Sequence, residues 1–263
     1  MTLPIVQVDA FTNEPYAGNP AAVCVLPRPA DEPWMQRVAR ELNLSETAFL
    51  VRQNDAWALR WFTPTVEVDL CGHATLASAH VLWEEGLLPA GAQARFDTKS
   101  GRLTAVRDAD RIEMDFPSQP DRPSTPPDSL LQALGVRASY VGRSRTDFIV
   151  EVATEAEVRA LTPDFNRLRE TPARGVIVTS RASVAGFDFV SRFFAPAAGV
   201  DEDPVTGSAH CCLAPYWSAK LHKHDMVGYQ ASARGGVVTV RMAGDRVILG
   251  GQAVTVLRGE LLA

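Results

Sequence analysis

No stretch of this sequence approaches the run of about 18 apolar residues that a membrane-spanning helix needs. Its first residues, MTLPIVQVDAF, lack the basic n-region and long apolar h-region of a secretory leader. The expectation is a cytoplasmic chain that engages no membrane. Cysteine is equally sparse. Cys24, Cys71, Cys211 and Cys212 show no C-x-x-C spacing, and the adjacent pair cannot share one tetrahedral metal with ordinary geometry, so reduced thiols are expected. His222 and His224 stand two apart without a third and fourth ligand close by, and no metal site is expected there. Clusters of basic residues are also missing. The net charge is −5 and the Lys and Arg residues are scattered singly, which leaves no electrostatic footprint for nucleic acid. With neither a Gly-x-Gly-x-x-Gly nor a Gly-Lys-Ser/Thr loop, no cofactor is expected.

What is present describes an ordinary globular protein. An apolar fraction of 46% and a charged fraction of 22% exclude disordered and fibrous classes. The length suits one large domain or two of ordinary size, and either can bury a core without metal or disulfide. The densest group of breakers runs from Phe116 to Pro127 (FPSQPDRPSTPP), which cannot continue a helix or a central strand. It predicts an N-terminal lobe over 1–116, a Pro-rich linker over 117–127 and a C-terminal lobe over 128–251.

The two parts resemble each other. Arg60, Phe62, Pro64, Val68 and Asp69 recur in the same order and spacing as Arg192, Phe194, Pro196, Val200 and Asp201. Further on, GRLTAVR from Gly101 aligns with GGVVTVR from Gly235, and Asp110-Arg111-Ile112 with Asp245-Arg246-Val247. Preserved order points to an internal duplication, although valine-rich strands also resemble one another by chance.

Short β-rich runs are predicted at 5–10, 21–26, 48–51, 56–62, 94–96, 103–107 and 111–116, and again at 176–180, 187–194, 237–242 and 247–249. Helical spacing covers 31–42, with Trp34, Val38 and Leu42 on one face, and smaller helices are predicted at 128–134 and 154–161. Two further helices, 75–87 and 208–221, carry small and apolar residues on nearly every side, and such helices are buried all round. The fold class expected is α+β, with two pseudo-symmetric lobes, each a curled, mostly antiparallel sheet wrapped around a central helix.

Each central helix is entered through a polar turn, DLCGHAT from Asp69 and DEDPVTGS from Asp201. Helix N-termini bear unsatisfied N–H groups and partial positive charge, so they bind carboxylates, and Gly72 and Gly207 let a ligand approach the backbone. Asp203, Thr206 and Ser208 are equally good helix caps, and that turn alone leaves both readings open. A duplicated fold favours function, because pseudo-symmetric lobes are expected to bring equivalent helix ends to one cleft. His73, beside a glycine at a helix start, is read as functional rather than as a satisfied interior histidine. Glu46 leads into an apolar strand, where partial removal from water suits a group that must accept and return a proton near neutral pH. An exposed Glu at a strand end fits the same pattern.

The segments QVDAFTNEPYAGNPAAV, ELNLSETAF, RWFTPTVEVDLCGHATLASAH and FFAPAAGVDEDPVTGSAH, in this order, resemble the PhzF family of phenazine-biosynthesis isomerases, which has the diaminopimelate-epimerase-like fold. The resemblance runs essentially end to end. It implies a two-lobed fold whose last strand, 252–263, returns to the first lobe, and a homodimer. It also implies that Glu46 of SETAF shuttles a proton, that His73 of CGHAT assists, and that Asp203 and Ser208 of DPVTGS complete the site. Related epimerases use two cysteines as opposed acid and base. Here Cys71 stands in the first turn, while the spacing of the repeated motif puts Asp203 opposite it, so a thiol pair is absent.

The reading that follows is a cofactor-independent isomerase of the trans-2,3-dihydro-3-hydroxyanthranilate isomerase type, moving a double bond on a small carboxylate-bearing metabolite. Glu46, His73 and Asp203 are its catalytic residues, and Ser208, Gly72, Gly207 and Thr206 hold the substrate carboxylate. An epimerase or racemase using Cys71 and Asp203 is one alternative. A small-molecule-binding protein without chemistry is the other.

Overall fold

The protein is described here from a computed structural model over residues 2–262. Met1 and Ala263, the outermost residues of the expected N-terminal lobe, lie outside the described residues. The chain forms two compact units. One runs to Phe116 and takes in the chain again from Gly250, and the other is Pro117–Leu249.

The first unit is built from β1 (Thr2–Ala10), β2 (Asn19–Leu26), α1 (Glu32–Leu42), β3 (Glu46–Gln53), β4 (Ala56–Phe62), β5 (Glu67–Val68), α2 (Gly72–Glu84), β6 (Ala94–Thr98), β7 (Gly101–Asp108) and β8 (Arg111–Pro117). β1 and β2 are antiparallel, β2 and β3 parallel, β3 and β4 antiparallel, β4 and β6 parallel, and β6 to β8 antiparallel. Most joins are therefore antiparallel, and the two parallel ones are where a helix crosses over.

The second unit contains β9 (Arg122–Pro123), α3 (Asp128–Leu134), β10 (Tyr140–Arg143), β11 (Asp147–Glu151), α4 (Glu155–Arg159), α5 (Phe165–Leu168), β12 (Gly175–Arg181), β13 (Phe189–Ala195), β14 (Val200–Asp203), α6 (Gly207–Leu221), β15 (Asp225–Gln230), β16 (Gly236–Ala243) and β17 (Arg246–Gly251). β10 to β16 repeat the same alternation, antiparallel, parallel, antiparallel, parallel, antiparallel. The final strand, β18 (Ala253–Leu262), pairs antiparallel with β1.

The duplication extends to side chains. Arg60 lies 5.2 Å over the ring of Phe62 and pairs with Glu67, while Arg192 lies 5.0 Å over Phe194 and pairs with Glu202. In each unit an arginine that caps an aromatic face is neutralised from the next short strand.

α2 is buried from His73 to Ala79 and from Val81 to Trp83, as its all-round apolar sequence requires. It packs against β1, β2 and β3. Phe49 of β3 instead points to a cluster with Met35 and Ala39 of α1, so α1 covers the outer face of the sheet whose inner face holds α2. α1 begins where the Asp31 side chain accepts the Trp34 N–H at 2.8 Å, and ends at Asn43 in the left-handed region. In the second unit α6 is the buried helix, with Trp217 stacked 6.0 Å from Phe189. Leu130, Val158, Leu168, Phe148 and Phe194 form the outer cluster there.

α2 starts at Gly72, three residues before the expected 75, and stops at Glu84 because Gly86 turns the chain with φ +68°. The segment 117–127 differs from the expected linker. β9 pairs with β10, and Ser118, Gln119 and Ser124 donate their N–H groups to Asp245, Cys211 and Val141, all within the second unit. One of these bonds has a clear cause. Pro215 lies inside α6 and has no N–H, so the Cys211 carbonyl one turn earlier loses its helical partner. Gln119 N–H takes that acceptor at 2.9 Å.

Gln119→Pro removes this donor and strands a buried carbonyl, which should cost about 1–3 kcal/mol in urea unfolding. In a Pro215→Ala background the helix can serve the carbonyl itself, and the loss should shrink. Equal losses in both backgrounds would show that the proline does not set this contact.

Candidate active site

In the first unit β3 and α2 both begin at one place. Glu46 is the first residue of β3 and pairs with Ala21 of β2, while His73 is the second residue of α2. Glu46 Oε2 lies 2.9 Å from His73 Nε2, with side-chain exposures of 17% and 5%. This carboxylate oxygen is buried, and the His73 imidazole supplies its partner. On the far side of the ring the Asn19 amide, also buried, lies 3.1 Å from Nδ1. An amide can donate to Nδ1 of a neutral ring or, turned over, accept from a charged one. It therefore fixes the ring in either state.

Cys71 completes the group, with Sγ 3.6 Å from Nδ1 and 4.0 Å from Nε2. Glu46, Cys71 and His73 are of metal-ligating type and lie within 4.8 Å of one another. The thiol sits nearer Nδ1 while the carboxylate faces Nε2.

Electrostatics separate the roles. Burial works against a charged His73, but Cys71 and Glu46 outweigh it and raise its pKa well above the ordinary histidine value. Burial also pushes the Cys71 thiol up, and Glu46 pushes it further. His210, fully buried in α6, serves as the contrast. Without a carboxylate, burial takes its pKa down to about 4, and Nδ1 is held 2.8 Å from the Thr206 carbonyl. Cys24 and Cys211 are pushed up to about 12 by burial, and Cys212 also upward, so all four cysteines are free, buried thiols.

The other expected residues meet at the α6 entrance in the second unit. Thr206 occupies the N-cap position, but its side chain does not cap the helix. Its hydroxyl donates to Asp203 Oδ2 at 2.5 Å. Gly207 and Ser208 are the first two residues of α6, with no side-chain cap over their N–H groups. Arg174 pairs with buried Asp147, and Asp203 adds to the carboxylate field that raises its pKa against the opposing effect of burial.

The two entrances correspond, with one correction. Both helices begin with glycine preceded by an uncapping N-cap residue, so Cys71 corresponds to Thr206, and not to Asp203 as the spacing of the upstream motif suggests. Three extra residues in the second turn cause the difference. Glu46 has no counterpart. Thr47 pairs with Phe62 and Val176 with Phe194, which puts Gly175 at the equivalent place. A side chain there would come within 2.3 Å of the Phe193 ring. Asn19 and Gln230, the two buried amides behind these entrances, were not identified as site residues from sequence. Asn19 lies inside the quoted GNP segment, and an Asn before Pro at a strand start was the available signal.

The profile described as Phenazine biosynthesis-like protein (PhzC-PhzF) matches residues 8–259. An uncharacterised isomerase of Halalkalibacterium halodurans is 56% identical over 100% of this chain and 99% of its own length. A PhzF-family crystal structure from Enterococcus faecalis superposes with a TM-score of 0.96 at 40% identity, covering 100% of both chains. The chain belongs to the phenazine biosynthesis-like (PhzF) family, a family of isomerases by the names its relatives carry. The fold reaches further. A hydroxyproline epimerase of Agrobacterium vitis shares it with a TM-score of 0.65 at 12% identity, over 99% of this chain and 92% of the other.

The His73 shift has a definite sign. A raised folded-state pKa stabilises the protein fully below the unfolded value of about 6.5 and loses that contribution as pH rises through the folded value. NMR titration should therefore find the His73 ring still charged above pH 6.5. In Glu46→Gln one of the two raising neighbours is gone while burial still opposes the charge, and the same ring should titrate lower than in the wild type. An unchanged His73 titration in that variant would refute the coupling.

Proposed function

We propose that this protein is a cofactor-independent isomerase that moves a proton, and with it a double bond, on a small carboxylate-bearing metabolite, a reaction of the trans-2,3-dihydro-3-hydroxyanthranilate isomerase type. The observation that carries the reading is the buried Glu46–His73 pair. Glu46 takes a proton from a carbon made acidic by conjugation to a carboxylate or imine, and returns it to another carbon on the same face. His73, charged beside it, holds the carboxylate in place and stabilises the negative charge that grows in the transition state, while Asp203 orients the substrate. Ser208 and the N–H groups at Gly72 and Gly207 are assigned to the substrate carboxylate, because uncapped helix N-termini favour anions, whereas Thr206, expected to join them, has its N–H and its hydroxyl spent on Gln230 and Asp203. The protein is further proposed to act as a cytoplasmic homodimer, with neither nucleic acid nor membrane as partner.

What disfavours the epimerase alternative is the state of Cys71. A buried thiol with a raised pKa and a carboxylate beside it is a poor base at neutral pH. Likeness to the hydroxyproline epimerase at 12% identity concerns the fold alone.

In D2O, deuterium incorporation into trans-2,3-dihydro-3-hydroxyanthranilate should fall by about 10²–10⁴ in Glu46→Gln. Wild-type exchange in that variant would discard the mechanism. Cys71→Ser should retain turnover within about threefold, because a serine cannot replace a thiol that transfers protons but can replace one that only packs. A loss of several orders of magnitude there would restore the epimerase reading.

A further inference from the structure

Gln230 ends β15 and is fully buried, and its carboxamide is spent on the α6 entrance. Oε1 accepts the Thr206 N–H at 2.9 Å. Nε2 donates to the Asp203 carbonyl at 2.7 Å and to Thr206 Oγ1 at 3.2 Å. The orientation of the amide is set by these partners. Turned over, it would set oxygen against the Asp203 carbonyl and an N–H against the Thr206 N–H. Because Nε2 already donates to Thr206 Oγ1, the hydroxyl hydrogen points elsewhere, and Asp203 Oδ2 at 2.5 Å receives it.

The backbone of Gln230 is held on both sides, by Ser191 of β13 and Gly236 of β16, so the amide projects from a rigid strand. An entrance turn of four residues, 203–206, thus has its first carbonyl, its last N–H and its last hydroxyl fixed by one side chain. A tie serving stability alone would need one of these bonds. Two bonds to Thr206, the residue orienting the Asp203 carboxylate, and a third to the Asp203 carbonyl select a conformation. We infer that Gln230 is a positioning residue, which acts through the Thr206 hydroxyl to hold the Asp203 carboxylate and the start of α6 in one arrangement before substrate arrives. The inference rests on the reading of Asp203 as part of the isomerase site. Asn19 behind His73 is the same device in the first unit, a buried amide on a strand fixing a group at a helix start.

Gln230→Glu keeps the shape of the side chain but replaces the Nε2 donor with an acceptor. A crystal structure of this variant should show the Thr206 hydroxyl turned to the new carboxylate and its contact with Asp203 Oδ2 broken. An intact contact overturns the inference, and this test needs no substrate. In the deuterium-exchange assay kcat should fall about tenfold or more with KM within about twofold. Thr206→Val should lose as much, Thr206→Ser should recover activity, and the Gln230→Glu/Thr206→Val double variant should be no worse than Thr206→Val alone. Additive losses, or a lowered melting temperature with kcat unchanged, would reduce Gln230 to a structural tie and overturn the proposal. Glu46→Gln separates the two ideas. Wild-type exchange in that variant defeats the isomerase reading, while the Gln230→Glu structure still decides whether Gln230 positions Asp203.

Discussion

A carboxylate oxygen removed from water must find a positive partner or give up its charge, and at Glu46 the partner is a single imidazole ring. Much of the first unit serves that contact. β3 has to begin at Glu46 and α2 near His73 for the two to meet, and the parallel pairing of Ala21 with Glu46 sets the height at which the strand starts. Asn19, two residues before Ala21 on the same strand, then reaches the far nitrogen of the ring. Between Phe11 and Asn19 the chain turns tightly. Gly18 at φ +63° has the Ala10 carbonyl 2.2 Å from where a side chain would begin, so only glycine fits there. The backbone immediately before Asn19 is thereby confined, and through Asn19 so is the ring.

Duplication explains the architecture and also its asymmetry. Both units repeat one strand order, one arginine-on-phenylalanine contact and one glycine-led helix entrance. What differs is the chemistry at equivalent places. Glu46 corresponds to Gly175, and Cys71 to Thr206, so the ionic pair belongs to one copy and the hydroxyl-bridged Asp203 to the other. Packing enforces the difference, since the ring of Phe193 fills the space that an acid at 175 would need. A duplicated fold has been divided between two tasks without a change in its topology.

Much of this was legible from residue pattern. The two helices with small apolar residues on every face could only be buried, and both are central. Runs of valine and aromatics marked most strands to within two residues, because alternation between sheet faces is local information. The Pro-rich segment marked the boundary between the units after Phe116, but not its own packing within the second unit, and for a physical reason. Proline excludes central strands but does not exclude packing, and the acceptor that holds Gln119 exists only because Pro215 opens a gap in a helix far along the chain. His73 and the α6 entrance were singled out as polar groups at helix starts, while Glu46 was singled out through the family resemblance, because a Glu at a strand start reads equally as an exposed one. Gln230 was not, since nothing local distinguishes a glutamine that ends a strand from one that faces solvent, and its three bonds depend on a turn some 24 residues earlier. The correspondence of Cys71 with Thr206 was hidden by the longer second turn.

All four cysteines are buried with raised pKa values, and this leaves the protein chemically quiet toward oxidants and electrophiles. A cysteine introduced on the surface of either unit would be the fast-reacting thiol of the folded chain. Native residues need not be stripped out before a fluorophore or spin label is attached. Two such labels, one per unit, would report the separation of the halves in solution and its response to ligand.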